Sequence, residues 1–271
     1  MTGLQPAILT YRPEVRLREV ARRAAERDQS HRWAGPPRSG GWKNGHVNNV
    51  ADAGNPVHDP ATIRRGYDAG DLTEASLAGT WLEQLQRWYD GAAAHPGIAD
   101  PNAMQVATVD SAGHPDVRTV LARGFDDTGV VFYTNYGSAK ARQLEVHPFA
   151  AAVFAWLPLE RQARLRGPVS KVSAAETEAY FASRPREAQL GAWASPQSEV
   201  IADRHVLDRL LADVTARFSD REVPPPPHWG GYRIEVTEIE FWQGRPYRLH
   251  DRLRFRRPPE VADWIVERLA P

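Results

Sequence analysis

Cysteine is absent from the 271 residues, and no stretch approaches the roughly 18 uninterrupted apolar residues that a membrane span needs. The lack of cysteine excludes disulfides, thiolate zinc sites, cysteine-ligated iron–sulfur clusters and a cysteine nucleophile. The N-terminal residues show no charged leader followed by a long apolar run, so we expect no secretory signal and a cytoplasmic protein.

An excess of charge of either sign is also missing, because 34 basic residues balance 34 acidic ones. A protein that coats nucleic acid usually carries a basic excess, so that function is disfavoured. The nine histidines form no HxH or HxxxH pair, and no GxSxG motif is present. We therefore expect neither a metal site nor a serine nucleophile. Lysine is scarce: Lys43, Lys140 and Lys171 are the three lysines, and the other basic residues are arginine.

Residues 1–57 differ in composition from the rest and are predicted to be an N-terminal extension, with one folded domain over 58–271. Residues 13–28 could form a short charged helix. From Gln29 to Pro56 there is little to bury, and glycine, asparagine and proline are frequent. This composition is typical of a mobile linker or tail. The alternative is a misassigned start codon, with translation beginning inside the linker, for example at Val47.

Beyond residue 58 the pattern predicts a mainly β domain with flanking helices, an α+β class. Leu77, Trp81, Leu85 and Trp88 recur at helical spacing, and helices are also predicted over 138–145, 174–183 and 202–218. Strands are predicted over 104–110, 117–122, 130–135, 150–156, 161–172, 232–243, 249–256 and 264–269. Short, closely spaced strands with turn signals between them favour a small barrel over a doubly wound sheet.

Arginine stands repeatedly beside aromatic or small polar residues at the ends of predicted strands and helices. Arg118 and Arg123 flank one strand segment, Arg184 follows the helical Tyr180, and Lys140 follows the predicted helix cap Ser138. Guanidinium forks, hydroxyls and helix N-termini are the groups that bind phosphate monoesters. The sequence therefore predicts that these residues bind phosphate.

These segments also carry a family resemblance. The most specific are RPREAQLGAWASPQS (184–198) and EFWQGRPYRLHDR (240–252), supported by RRGYDAGDL (64–72), VVFYTNYGSAKA (130–141), LERQ (159–162) and HWGGYRI (228–234). From about residue 63 to residue 271 the chain closely resembles pyridoxine/pyridoxamine 5′-phosphate oxidases. The resemblance implies a split β-barrel that forms a homodimer, with flavin mononucleotide (FMN) bound at the dimer interface.

The resemblance assigns residues to the cofactor. Arg118 and Lys140 would hold the flavin phosphate, helped by Thr134, Gln197 and Ser198. The implied residues around the isoalloxazine ring and along the neighbouring strands are Gln162, Trp242, Arg252, Thr119, Val120, Leu121, Arg123 and Tyr133.

It also assigns residues to a small phosphorylated pyridine substrate. Arg123, Tyr180 and Arg184 would bind its phosphate, while Arg248 and His250, the implied catalytic residues, would face the pyridine ring and the reacting carbon. Arg64 and Tyr67 would close over the site and exclude water. The implied reaction oxidises the C4′ alcohol or amine of the substrate to pyridoxal 5′-phosphate, and dioxygen takes the electrons to give hydrogen peroxide.

Three positions depart from the family pattern. Arg123 stands where many members carry lysine, Ala139 where an arginine is common, and Ala188 where a serine often donates to the substrate phosphate. The loss of one neutral donor costs about 0.5–1.5 kcal/mol. These departures bear on substrate identity more than on flavin binding.

Two alternative functions remain open at this point. The first is a related FMN-dependent oxidase that acts on an intermediate of secondary metabolism, suggested by the three departures. The second is a non-catalytic carrier of flavin or pyridoxal phosphate, or a regulator that contacts a partner through residues 1–57.

Overall fold

Nine antiparallel strands carry most of the core in residues 65–271, the part of the chain that the computed structural model describes. Alternating burial on β1, where every second residue is buried, shows why these segments form strands with one face in the core. The strands are β1 (Ala103–Val109), β2 (Pro115–Asp126), β3 (Gly129–Asn135), β4 (Phe149–Trp156), β5 (Arg161–Lys171), β6 (Trp229–Glu235), β7 (Glu238–Gln243), β8 (Asp251–Arg256) and β9 (Ile265–Arg268).

Six of these strands close into a barrel. Neighbouring strands pair in the order β4-β1-β2-β3-β6-β5, and the pairing of β4 with β5 completes the ring. Closure removes the free strand edges that an open sheet would expose. The predicted small barrel is confirmed, and β7, β8 and β9 extend from it as an antiparallel ribbon.

The strand β5 belongs to both parts of this architecture. Its residues Arg161–Arg166 pair with β7, whereas Val169–Lys171 pair with β6. The prediction of one continuous strand over 232–243 is wrong at this point, because Val236 and Thr237 interrupt it: the register against β5 shifts by one residue there, and the neighbour on the other side changes from β3 to β8. Close packing fixes the corner: a Cβ atom on Gly167 would lie 1.7 Å from the carbonyl oxygen of Glu235. Only glycine fits there.

Five helices flank the strands in the described residues: α1 (Trp81–Ala93), α2 (Ala139–Val146), α3 (Ala174–Ala182), α4 (Arg186–Ala194) and α5 (Arg204–Arg217). Thr80 and Glu83 form a capping box on α1, so the helix begins after Leu77 and not at it. Ser138 caps α2 as predicted, by accepting a hydrogen bond from the N–H of Ala141. The sequence analysis did not predict α4.

The barrel interior and a second cluster together position the functional groups. Phe132, Phe154 and Leu165 are fully buried inside the barrel. In the second cluster, Phe181 of α3 and Leu190 of α4 pack with Trp229 at the start of β6. The cluster therefore holds α3 and α4 beside the start of β6 and the end of β3. None of the described helices has the length and apolarity to cross a membrane. The boundary predicted near residue 57 and the helix predicted over 13–28 lie outside the described residues.

Candidate functional site

A cleft of about 990 Å³ opens between the barrel and the helices α3 and α4. The strands β2 and β3 form one wall, the start of α2 forms its floor, and the segment after α4 completes it. Twelve of the residues predicted for the cofactor or the substrate line this cleft: Arg118, Thr119, Val120, Leu121, Arg123, Tyr133, Thr134, Lys140, Tyr180, Arg184, Gln197 and Ser198.

Lys140 places a buried ammonium group in the cleft. The residue is 8% exposed, and its Nζ donates hydrogen bonds to Thr134 Oγ1 (3.1 Å), Ser138 Oγ (3.4 Å) and Gln197 Oε1 (3.4 Å). All three acceptors are neutral, and burial lowers the pKa of Lys140. A buried cation without a carboxylate partner is stabilised by an anion. This part of the cleft therefore fits a phosphate group.

Arg118 lies in the same wall and is held by four acceptors. Its Nη1 donates to Thr108 Oγ1 (2.5 Å) and to the carbonyl oxygen of Val106 (3.3 Å). Its Nη2 donates to Gln143 Oε1 (3.0 Å) and to the carboxylate of Asp116. The guanidinium group thus has a fixed orientation beside Lys140, whose pKa its positive charge also lowers.

A second cationic group occupies the part of the cleft next to α3. The guanidinium carbon of Arg184 lies 4.7 Å from the ring centroid of Trp229, and that of Arg123 lies 5.9 Å from the ring of Tyr180. Arg184 Nη1 is buried and has no hydrogen-bond partner among residues 65–271. An unpaired buried donor is costly, so this atom is suited to an anionic ligand.

The aromatic rings behind these arginines form a stack. The rings of Tyr133 and Tyr180 are 3.9 Å apart and nearly parallel, and Tyr133 also stacks on Trp229 at 5.4 Å. Burial raises the pKa of Tyr133 to about 12, so its phenol is neutral at physiological pH. The stack fixes the rotamers of the groups that face the ligand.

Three residues that the resemblance places near the flavin or the substrate lie together outside the cleft. The ring centroid of Tyr67 is 5.9 Å from that of Trp242 and 5.4 Å from that of His250, while Trp242 and His250 are 4.6 Å apart. We call these three residues the aromatic cluster. Next to it, Tyr247 and Arg248 both have positive φ angles, of 58° and 64°. Non-glycine residues rarely adopt this conformation, and it is frequent at functional sites.

His250 in the aromatic cluster has a defined hydrogen-bond partner. Its Nδ1 accepts from the backbone N–H of Arg245 at 3.1 Å, so Nδ1 carries no proton and the neutral ring has its proton on Nε2. Burial, with a smaller effect of Arg248, lowers the pKa of His250. The ring is thus a neutral hydrogen-bond donor at physiological pH.

The remaining predicted residues are near the aromatic cluster or outside the described part of the chain. Gln162 on β5 is the register partner of Trp242 on β7. Arg252 donates to Glu240 from Nε (2.7 Å) and Nη2 (3.1 Å). Neither residue lines the cleft, and Arg64 is outside the described residues.

Sequence reasoning missed two acidic residues, one that contacts a predicted site residue and one that contacts the segment carrying Tyr67. Asp116 pairs with Arg118, and period-two alternation on β2, which puts both side chains on one face, could have revealed it. Glu160 is 3% exposed and accepts a hydrogen bond from the backbone N–H of Ala69 at 3.0 Å. No local signal identifies that contact, because 91 positions separate the two residues.

Two family models match the chain. Residues 91–218 match a model described as pyridoxamine 5′-phosphate oxidase, and residues 229–271 match one described as the pyridoxine 5′-phosphate oxidase C-terminal dimerisation region. The first covers the residues that line the cleft apart from Trp229, and the second covers Trp229, Trp242, Arg248 and His250. The match to a dimerisation region indicates a homodimer.

Curated relatives and solved structures agree with these matches. The chain is 56% identical to the pyridoxine/pyridoxamine 5′-phosphate oxidase of Saccharopolyspora erythraea, over 78% of this chain and 94% of the relative. A crystal structure of PhzG from Burkholderia lata in complex with tetrahydrophenazine-1-carboxylic acid is 29% identical, with a TM-score of 0.68 over 74% of this chain and 98% of that one. A pyridoxamine 5′-phosphate oxidase-related, FMN-binding protein of Nostoc punctiforme, 21% identical with a TM-score of 0.57 over 72% of this chain and 99% of that one, has the same fold. The chain belongs to the pyridoxine/pyridoxamine 5′-phosphate oxidase family.

Proposed function

We propose that this protein oxidises pyridoxine 5′-phosphate or pyridoxamine 5′-phosphate to pyridoxal 5′-phosphate, with FMN as cofactor and dioxygen as electron acceptor. The observation that carries the proposal is the presence of two separate cationic groups in one cleft. Lys140 and Arg118 form one, and Arg184 and Arg123 form the other. A flavin nucleotide and a phosphorylated substrate bring two phosphate groups, and each needs its own anchor.

The residues present fit FMN. Lys140 would bind the flavin phosphate together with Thr134, Gln197 and Ser198, because the hydrogen-bond partners of its buried ammonium group in the described part of the chain are all neutral. The N-terminus of α2, which begins at Ala139, adds a favourable dipole. When bound, FMN supplies the acceptor for the hydride from C4′ of the substrate and returns the electrons to dioxygen.

Arg184 and Tyr180 would bind the substrate phosphate with Arg123. The unpaired Nη1 of Arg184 supplies a donor that is already desolvated. The stacked rings of Tyr133 and Trp229 restrict the movement of this anchor. A fixed phosphate places the reacting carbon at a defined distance from the anchor, and this positioning is a main contribution of the protein.

The aromatic cluster would complete the site from a second copy of the chain. Trp242, Arg248 and His250 lie within the segment that matches the dimerisation region, and they do not line the cleft of their own chain. In such a dimer, His250 would donate from Nε2 to the pyridine substrate, and Tyr67 would cover the site against water.

Cytoplasmic location remains a prediction from the sequence.

One relative favours a second candidate function, the oxidation of a different aromatic substrate. PhzG was solved with tetrahydrophenazine-1-carboxylic acid, and in the present chain Ala188 lines the cleft without a hydroxyl donor. Two arginines beside Tyr180 favour a phosphate over a single carboxylate, so we prefer the vitamin B6 substrate.

An oxygen-electrode assay distinguishes the two. FMN-loaded protein should consume oxygen with pyridoxamine 5′-phosphate or pyridoxine 5′-phosphate, and at least about 100-fold less efficiently with the unphosphorylated vitamers, because the phosphate anchor is lost. A flavin-loaded protein that turns over neither phosphorylated compound, but oxidises a reduced phenazine carboxylate, would establish the second candidate.

A further inference from the structure

Asp116 occupies Nη2 of Arg118, one of the donor atoms that this residue would offer to a ligand. Its Oδ2 accepts from Arg118 Nη2 and also from Gln143 Nε2, the latter at 3.3 Å. The Arg118 side chain is 19% exposed and that of Asp116 is 52% exposed, so the carboxylate is the more accessible member of the pair. Both residues line the cleft with Lys140.

The carboxylate is charged under physiological conditions. The hydrogen bond from Gln143 and the charge of Arg118 hold the pKa of Asp116 below its usual value. Its charge also acts on Lys140, whose pKa it raises against the effect of burial. Asp116, Arg118 and Lys140 therefore share one local electrostatic field.

The balance of charge in this part of the cleft is low for a phosphate site. Arg118 and Lys140 contribute two positive charges, Asp116 removes one, and Ala139 beside Lys140 contributes none. A phosphate monoester carries about −1.5 to −2 charges at neutral pH. A bound phosphate would therefore meet only one net positive charge from Arg118, Lys140 and Asp116 together.

We propose that Asp116 is an internal competitor of the flavin phosphate: it neutralises Arg118 and thereby weakens the binding of FMN to this chain. The inference rests on the proposed function, since it takes the ligand to be FMN. Phosphate and carboxylate both require the N–H donors of the guanidinium fork, and two anions at one fork repel each other. Asp116 thus makes FMN loading more readily reversible than Arg118 and Lys140 alone would.

The test compares FMN with riboflavin, which lacks the phosphate, by quenching of flavin fluorescence on the apoprotein. Asp116→Asn keeps an acceptor oxygen for Arg118 and removes the charge. It should lower the Kd for FMN by about fivefold to tenfold and leave the Kd for riboflavin unchanged. The gain should shrink at high salt, because Asp116 is exposed and screened.

Two further variants separate the effect from general ones. Asp127→Asn makes the same charge change in the exposed turn after β2, and it should not alter FMN affinity. Asp116→Glu keeps the charge, and its Kd for FMN should stay at or above the wild-type value.

Each contrary outcome has a distinct meaning. FMN affinity that is equal or weaker in Asp116→Asn would overturn the inference, as would an equal gain for riboflavin or for Asp127→Asn. If neither the wild type nor any variant bound FMN, the proposed function would fall together with the inference. Normal FMN binding without the gain overturns the inference alone.

Discussion

The buried carboxylate of Glu160 accepts a hydrogen bond from the backbone N–H of Ala69, 3.0 Å away, although the two residues are far apart in sequence. Its other oxygen lies 3.3 Å from Nη2 of Arg65. Tyr67 lies between these two contacts and packs against Gly244, where a Cβ atom would be 2.6 Å from the Tyr67 ring. Glu160 therefore fixes the segment that carries Tyr67 against the start of β5.

Replacement of Glu160 by alanine should release that segment. We expect amide hydrogen exchange over residues 66–72 to accelerate at least about tenfold and the free energy of unfolding to fall by about 1.5–3 kcal/mol, since a charged acceptor is lost from a buried hydrogen bond. Mass spectrometry of exchanged peptides measures the first effect and urea unfolding the second. Glu178→Ala, at an exposed position on α3, is the matched control. Unchanged protection over 66–72 would contradict this role.

Lys140→Met should weaken FMN binding by about 100-fold or more, because the buried ammonium group is lost, and leave riboflavin binding nearly unchanged. Fluorescence titration of the apoprotein gives both constants. Lys171→Met removes the charge of an exposed lysine that lies over Tyr136 and pairs with Glu145, and it serves as the control. Equal losses for FMN and riboflavin would indicate a general structural defect.

Arg184→Lys should raise the KM for pyridoxamine 5′-phosphate by about tenfold or more, because lysine cannot reproduce the planar fork beside Trp229. Ala188→Ser should act in the opposite direction, with a KM lower by about threefold to tenfold, since it adds one neutral donor to the cleft. Steady-state oxygen consumption measures both, and Arg209→Lys on the exposed face of α5 is the control. If Arg184→Lys left the KM unchanged, this arginine would not be the phosphate anchor.

The lowered pKa of His250 predicts a pH dependence of stability. The unfolded chain takes up a proton near the ordinary pKa of 6.5, whereas the folded chain does so only at lower pH. Folding is therefore penalised progressively as the pH falls below 6.5, and the penalty is absent above it. Between pH 7.5 and pH 5.5 the melting temperature should fall more for the wild type than for His250→Asn, which cannot titrate. Equal decreases would refute this assignment.

Gly167→Ala should disrupt the corner between β6 and β7. The new Cβ atom would lie 1.7 Å from the carbonyl oxygen of Glu235, so the backbone must shift, at a cost of about 3 kcal/mol or more. Gly124→Ala, where a Cβ would meet nothing within 4 Å, should cost far less. Thermal unfolding of the two variants checks the contrast, and similar melting temperatures would show that the corner can relax.

Much of the barrel could be predicted from local patterns. β1 and β4 alternate buried and less buried residues, so period-two hydrophobicity located them. The break between β6 and β7 was invisible, because Val236 and Thr237 continue a pattern typical of strands. The break follows from long-range contacts, because the register against β5 shifts by one residue there and the other neighbour changes from β3 to β8.

The site shows the same division between local and long-range information. Arginines at strand and helix ends, together with the specific motifs, predicted the residues of the cleft. Alternation along β2 could have paired Asp116 with Arg118, but it could not show that Thr108 and Gln143 reach the same guanidinium group from another strand and a helix. Glu160 was missed because the segment that it contacts lies far away in the sequence.

The separation of the cleft from the aromatic cluster has a genetic consequence. If each site joins the cleft of one protomer to the cluster of its partner, a hybrid of two differently inactivated chains regains one intact catalytic centre. Co-expression of Lys140→Met and His250→Asn chains would then restore turnover that neither homodimer possesses. Two defective alleles of this kind would complement each other in one cell.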